Sequence, residues 1–162
     1  MILPRLKLRS ITLSITLFIV GCDSNTRLEI VTEIRDSTSG DRLMKRDLVT
    51  YSIAKPDERS YDFHSLVWQM KDAAVWKDKA VLTQADFQKG TGHRRWISAL
   101  HSFDASKGYA ILKVAEGDAP QNSSRVNYQY SWREWDIAAK KEVRVIRVCT
   151  DPFEPFALRG TP

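Results

Sequence analysis

Apolar and polar positions alternate with period two through most of this chain. Leu28, Ile30, Thr32 and Ile34 interleave with Glu29, Val31, Glu33 and Arg35, which predicts a strand with one drier face. Ser37–Asp41 (STSGD) predicts a turn and Leu48–Ile53 (LVTYSI) a second strand. Trp96–Phe103 (WISALHSF) and Tyr109–Ala115 (YAILKVA) predict a pair joined by Asp104–Gly108 (DASKG), where glycine suits a left-handed position. Further on, Val126, Tyr128, Tyr130 and Trp132 share one face of a strand, and Asn127, Gln129, Ser131 and Arg133 share the other. The aromatic phase is the expected core phase and the polar phase the expected solvated one. Ala138–Lys141 (AAKK) leads into a β-branched return strand, Val143–Cys149 (VRVIRVC).

Two stretches depart from this period. Phe63, Leu66, Val67 and Met70 recur at helical spacing, so Tyr61–Met70 reads as a helix or as an edge strand. Thr83 followed by Asp86 is the pattern of a capped helix start, and the helix it predicts is short, stopping near Gly90. Lys55–Ser60, with Pro56 and Asp57, is a turn, and Glu116–Ser124 a solvent loop. Pro152 and Pro155 break any ladder in the tail, while Phe153 and Phe156 are placed to staple it over an open edge of the core. The expected fold is α+β: a small single domain dominated by an antiparallel sheet of five to seven strands with one or two short helices. An all-β sandwich or half-barrel is the alternative. Trp135-Asp136 before a strand is similar to a propeller-blade signature, but four blades of about 40–45 residues do not fit the 141 residues from Cys22 to Pro162.

The N-terminal stretch obeys a different logic. Arg5, Lys7 and Arg9 precede an apolar run, Ile11–Val20, which ends at Ile19-Val20-Gly21-Cys22. A membrane-spanning helix needs about 20 residues, twice what this run offers. A basic start and a short apolar core describe an export signal. The segment Met1–Asp23 resembles the bacterial lipoprotein signal, with Ile19 where that family usually has leucine. The resemblance implies a cut between Gly21 and Cys22 and acylation of both the Cys22 thiol and the new amino group. It divides the chain into a signal peptide (1–21), a lipidated cysteine with a short tether (22–27) and one β-rich domain (28–162). Several acyl chains together anchor a protein stably. The implied location is the bacterial cell envelope, facing the periplasm, with the bilayer a partner through acylated Cys22. Asp23 sits where some enteric bacteria read an inner-membrane retention signal, and both membranes stay open.

That reading changes what composition means. The whole chain has 25 basic and 20 acidic residues, a net charge of +5. Without Arg5, Lys7 and Arg9 the remainder has 22 against 20. Binding to a phosphate backbone needs a clustered basic face, so no nucleic-acid partner is expected. With Cys22 acylated, Cys149 is left as a lone thiol, expected to be buried and inert at the end of its apolar run.

Catalytic patterns are sparse. His64, His93 and His101 form no close ligand pair, and no Gly-x-Ser-x-Gly elbow or phosphate loop occurs. Glu134 and Asp136 share a strand face, the kind of carboxylate pair that can hydrolyse glycosides. No metal and no cofactor is expected. The aromatic hairpin is the richer feature. Trp96, Arg125, Tyr128, Tyr130, Trp132, Arg133 and Trp135 combine the residue types that dominate interface hot spots. They form a candidate binding face, or they fill the core of a small sheet domain. The functional expectation is a non-enzymatic lipoprotein that binds an envelope protein or serves an envelope assembly. An immunity-type inhibitor of an envelope-targeting toxin or lytic enzyme is the alternative, and a small envelope hydrolase a third.

Overall fold

The computed structural model describes residues 11–18, 25–52, 59–88, 93–118 and 128–156. Its strands are β1 (Ile11–Phe18), β2 (Asn25–Arg35), β3 (Arg42–Ser52), β4 (Arg59–Asp72), β5 (Val75–Thr83), β6 (His93–Asp104), β7 (Tyr109–Asp118), β8 (Gln129–Asp136) and β9 (Lys141–Val148). One helical turn, α1 (Gln84–Phe87), lies between β5 and β6. Strands adjacent in sequence pair antiparallel, giving two meanders, β1-β2-β3-β4-β5 and β6-β7-β8-β9. The α+β expectation is therefore corrected. Among the described residues there are nine strands and a single helix of four residues, an almost wholly β fold in two sheets.

β-Bulges explain why the pattern misled. The β3–β4 register slips between Arg46 and Asp47, leaving His64 as an extra residue in β4. An extra residue adds one to a strand's period of two. Phe63 and Leu66 thereby share the inner face although they lie three apart, which imitates a helix. In β6 the register slips twice, at Ser98 and at His101. Ile97, Leu100 and Phe103, again three apart, all reach the core.

The core fills the space between the sheets. Leu43, Val49, Leu66 and Leu82 of the first sheet and Ile97, Leu112 and Val114 of the second have no exposed surface. Burial of such side chains is worth about 1.5–3 kcal/mol each. Trp68 of β4 spans the gap: its ring meets Phe103 edge-on at 5.3 Å, and its indole N–H donates to Asp41 at 2.9 Å. Gly108, in the β6–β7 turn with φ 71°, lies under the same ring, where a Cβ would stand 3.3 Å from it. Position and space both select glycine there.

The predicted cap is present, since the Asp86 carboxylate accepts from the Thr83 amide at 2.7 Å. Phe87 then packs on Phe63 and Trp135, with centroids 5.3 and 4.5 Å away. Gln88 is already extended, so the helix ends after four residues; Gly90 lies outside the described residues.

The expected phase of β8 is inverted. Ser131, Arg133 and Trp135 lie opposite Val114, Leu112 and Ala110 on the inner face and are nearly inaccessible. Tyr130 and Trp132 lie on the outer face, opposite Ala115 and Lys113. The tail roofs this outer face, as Phe156 packs 4.1 Å from His101 and 5.4 Å from Trp132. Phe153, the other expected staple, is 88% exposed. Cys149 is free and half-buried rather than fully buried, and its burial pushes the thiol up.

At the other end of the chain, most of the apolar run, Ile11–Phe18, forms β1, at the edge of the first sheet. Cys22 lies outside the described residues, as does Arg125. No helix among the described residues is long and apolar enough to cross a membrane.

Candidate functional site

Where α1 meets β6, the two sheets leave a groove of about 370 Å³. Asp62 and Phe63 of β4, Gln84 and Gln88 around α1, Arg94 and Trp96 of β6, and Tyr128 just before β8 line it. Trp96 and Tyr128 meet edge-to-face, with centroids 4.3 Å apart. Such a pair gives a rigid apolar surface at little entropic cost. Around it stand a cation (Arg94), a carboxylate (Asp62) and two amides (Gln84 and Gln88). The strand period puts Arg94 and Trp96 on one face of β6, while α1 brings in Gln84, whose side chain donates to the Arg95 carbonyl at 2.6 Å.

Behind the groove, on the inner face of the second sheet, lies a buried ionic cluster. Arg95 is 2% and Arg133 4% exposed. Arg133 donates to Glu142 at 2.9 Å and also pairs with Glu116. Arg95 pairs with Glu142 and lies 3.3 Å from Glu116. Two cations and two carboxylates therefore balance within the sandwich. Burial raises the Glu142 pKa, but the hydrogen bonds and charges of Arg95 and Arg133 outweigh it and hold the group below its ordinary value. The Arg95 guanidinium also sits 5.3 Å over the Trp135 ring. The cluster is balanced in charge but not saturated in hydrogen bonds: Arg95 Nε and the Trp135 indole nitrogen, both buried, have no hydrogen-bond partner among the described residues.

The seven side chains of the predicted binding face thus separate. Trp96 and Tyr128 meet at the groove. Arg133 and Trp135 lie in the interior with the ionic cluster. Trp132 is buried under the tail, with Tyr130 half-buried beside it. Arg125 lies outside the described residues. Asp62, Phe63, Gln84 and Gln88 were not legible as groove residues. Their positions depend on how β4 and α1 meet β6, which no local pattern encodes.

The residues considered for catalysis are engaged elsewhere. Glu134 accepts from Arg144 at 2.7 Å, and Asp136 accepts from the Ala139 amide at 2.8 Å in the β8–β9 turn. His93 pairs with Asp118 at 2.8 Å, His101 packs on Phe156, and His64 is exposed at its bulge. No group of three or more His, Cys, Asp or Glu side chains among the described residues is arranged to hold a metal ion. No family model, curated protein or solved structure matches this chain.

Proposed function

We propose that the chain is a lipid-anchored, non-enzymatic binding protein of the bacterial envelope. Acylated Cys22 holds it at the membrane, and the groove edged by Trp96 and Tyr128 receives a segment of an envelope protein. The observation that carries this reading is the groove itself: an aromatic pair beside Arg94, Asp62 and two glutamine amides. Tryptophan, tyrosine and arginine are the side chains that most often carry binding energy at protein interfaces. Glutamine amides can donate to and accept from an extended peptide backbone. The signal-like segment ending at Cys22 supplies the address.

The test is a photo-crosslinking amino acid at Gln88, in the full chain expressed in its native envelope. A discrete adduct that disappears with Trp96→Ala is the expected result. Equal adducts from a probe at exposed Val75, or none from Gln88, would overturn the groove. In the same cells, Cys22→Ala should abolish incorporation of labelled palmitate, and persistent labelling would overturn the anchor.

A further inference from the structure

A sheet edge is a liability unless it is blunted, because its unpaired amides and carbonyls template another strand. Three edge strands of this fold are blunted in the same way. β5 carries a bulge at Lys79, β6 has bulges at Ser98 and His101, and β9 has them at Val143 and Ile146. β2 is different. It pairs with β3 over eleven consecutive positions, and β1 pairs with it over eight, without a slip in either register. In the full-length chain β1 covers the β2 edge.

We infer that removal of the signal segment uncovers β2, and that a second copy of the chain takes its place through an antiparallel β2–β2 pairing centred on Ile30. This inference rests on the lipoprotein reading above, which removes residues 1–21 and β1 with them. The charge order along β2 and the length of strand paired together select the register. A two-fold axis normal to the sheet keeps each face on its own side, so only residues of like phase can oppose. Centred on Ile30, Arg27 of each copy stands opposite Glu33 of the other. Leu28 then faces Thr32, and Asn25 faces Arg35. Centred on Val31, Glu29 would face Glu33 and Arg27 would face Arg35. Centred on Glu29, that carboxylate would face itself. Like charges directly opposite are unfavourable, which disfavours Val31 and Glu29. Ile30, the midpoint of Asn25–Arg35, is the centre that pairs the whole strand, so it is favoured over the shorter overlaps centred on Leu28 or Thr32. The apolar phase Leu28, Ile30 and Ile34 continues the inner face, where Ile34 already joins the core. The axis makes the two chain starts equivalent, so both acylated cysteines can enter one membrane lying perpendicular to it.

The experiment uses the full-length gene expressed in a bacterial envelope, with Cys149→Ser to remove the other domain thiol and Ile30→Cys at the centre. Residues directly opposite across an antiparallel pair have Cα atoms about 4.5–5.5 Å apart, within disulfide range. Mild oxidation of membranes should give a dimer at twice the mass of the processed chain. Arg27→Glu should lower its yield about tenfold, and Arg27→Glu with Glu33→Arg should restore it. If Ile30→Cys does not accumulate, Leu28→Cys with Thr32→Cys reads the same register. Processed but monomeric protein overturns this proposal alone. An adduct to a different envelope protein also overturns it. A chain that stays at full-length mass overturns the lipoprotein reading and this proposal together, because β1 then keeps the edge.

Discussion

The two faces of the second sheet bury cations by different means. On the inner face, Arg95 and Arg133 are matched by Glu116 and Glu142, charge against charge. On the outer face, Lys113 is 4% exposed and has no carboxylate partner among the described residues. Its ammonium donates instead to the backbone carbonyls of Pro152 and, at 2.7 Å, Glu154. The Trp132 ring adds its face at 5.4 Å. The inner arrangement joins β6, β7, β8 and β9 across long sequence separations. The outer one depends on a tail that lies over the sheet. A buried charge can thus either knit strands together or hold a covering segment in place.

The largest effect should come from the inner face. Arg133→Met removes one cation and leaves Glu116 and Glu142 sharing Arg95. Breaking a buried ion pair by removing one partner costs about 3–5 kcal/mol, because the other charge stays buried. Urea unfolding should show that loss at pH 7 with an unchanged slope. A loss under about 1 kcal/mol would mean that water reaches the cluster and that the contrast between the faces is false.

The outer face should respond less. Phe156→Ala removes the ring over His101 and Trp132 but leaves the carbonyls that hold Lys113. Phe156 is only half-buried, so the expected cost is about 1–2 kcal/mol, below that of a fully buried phenylalanine. The mutation should also speed amide exchange in residues 150–156 while β7 and β8 stay protected. If β8 exchanged as fast as the tail, the tail would be part of the sheet's own cooperative unit rather than a cover.

The same contrast marks what was legible in the sequence. The Asp104–Gly108 turn and the Thr83–Asp86 cap depend on neighbours within a few residues, and both were readable. The phase of β8 was not. A local pattern places tyrosine and tryptophan inside and arginine outside. Here Arg133 goes inside because Glu116 and Glu142, 17 and 9 residues away, neutralise it. Trp132 can sit outside because Phe156 and the tail cover it. The helical spacing within Tyr61–Met70, which left helix and strand both open, has a different cause: bulges turn a period of two into apparent spacings of three. Of the candidate site, Trp96 and Tyr128 were legible as residue types, but their meeting was not, because β6 and β8 are brought together through β7.

The smallest effect is the pH dependence, and it separates two ion-paired carboxylates, Glu142 and Asp47, by sign. Glu142 has its folded pKa below the unfolded value of about 4.3, through Arg95 and Arg133 acting against burial. It therefore contributes stability above the unfolded pKa and loses it as pH falls through the folded one. In the tail, Glu154 also has its pKa lowered, chiefly by the hydrogen bond from the Thr150 amide, so it adds a limb of the same sign. A separate, partly buried pair in the first sheet acts in the opposite direction. Asp47, beside Lys45 in β3, has its pKa raised by burial, which exceeds the lowering by Lys45. Ionised Asp47 therefore costs stability, and that cost is relieved as pH falls through its folded pKa towards the unfolded value of about 3.9. Urea midpoints between pH 7 and pH 3 should separate the two. Asp47→Asn should remove the gain on first acidification, and Glu142→Gln should flatten the loss at lower pH while lowering stability at pH 7. Phe156→Ala should shift the whole profile without changing its shape. If Glu142→Gln kept the wild-type acid limb, the inner cluster would not be the acid-sensitive element, and the two faces would differ in strength only.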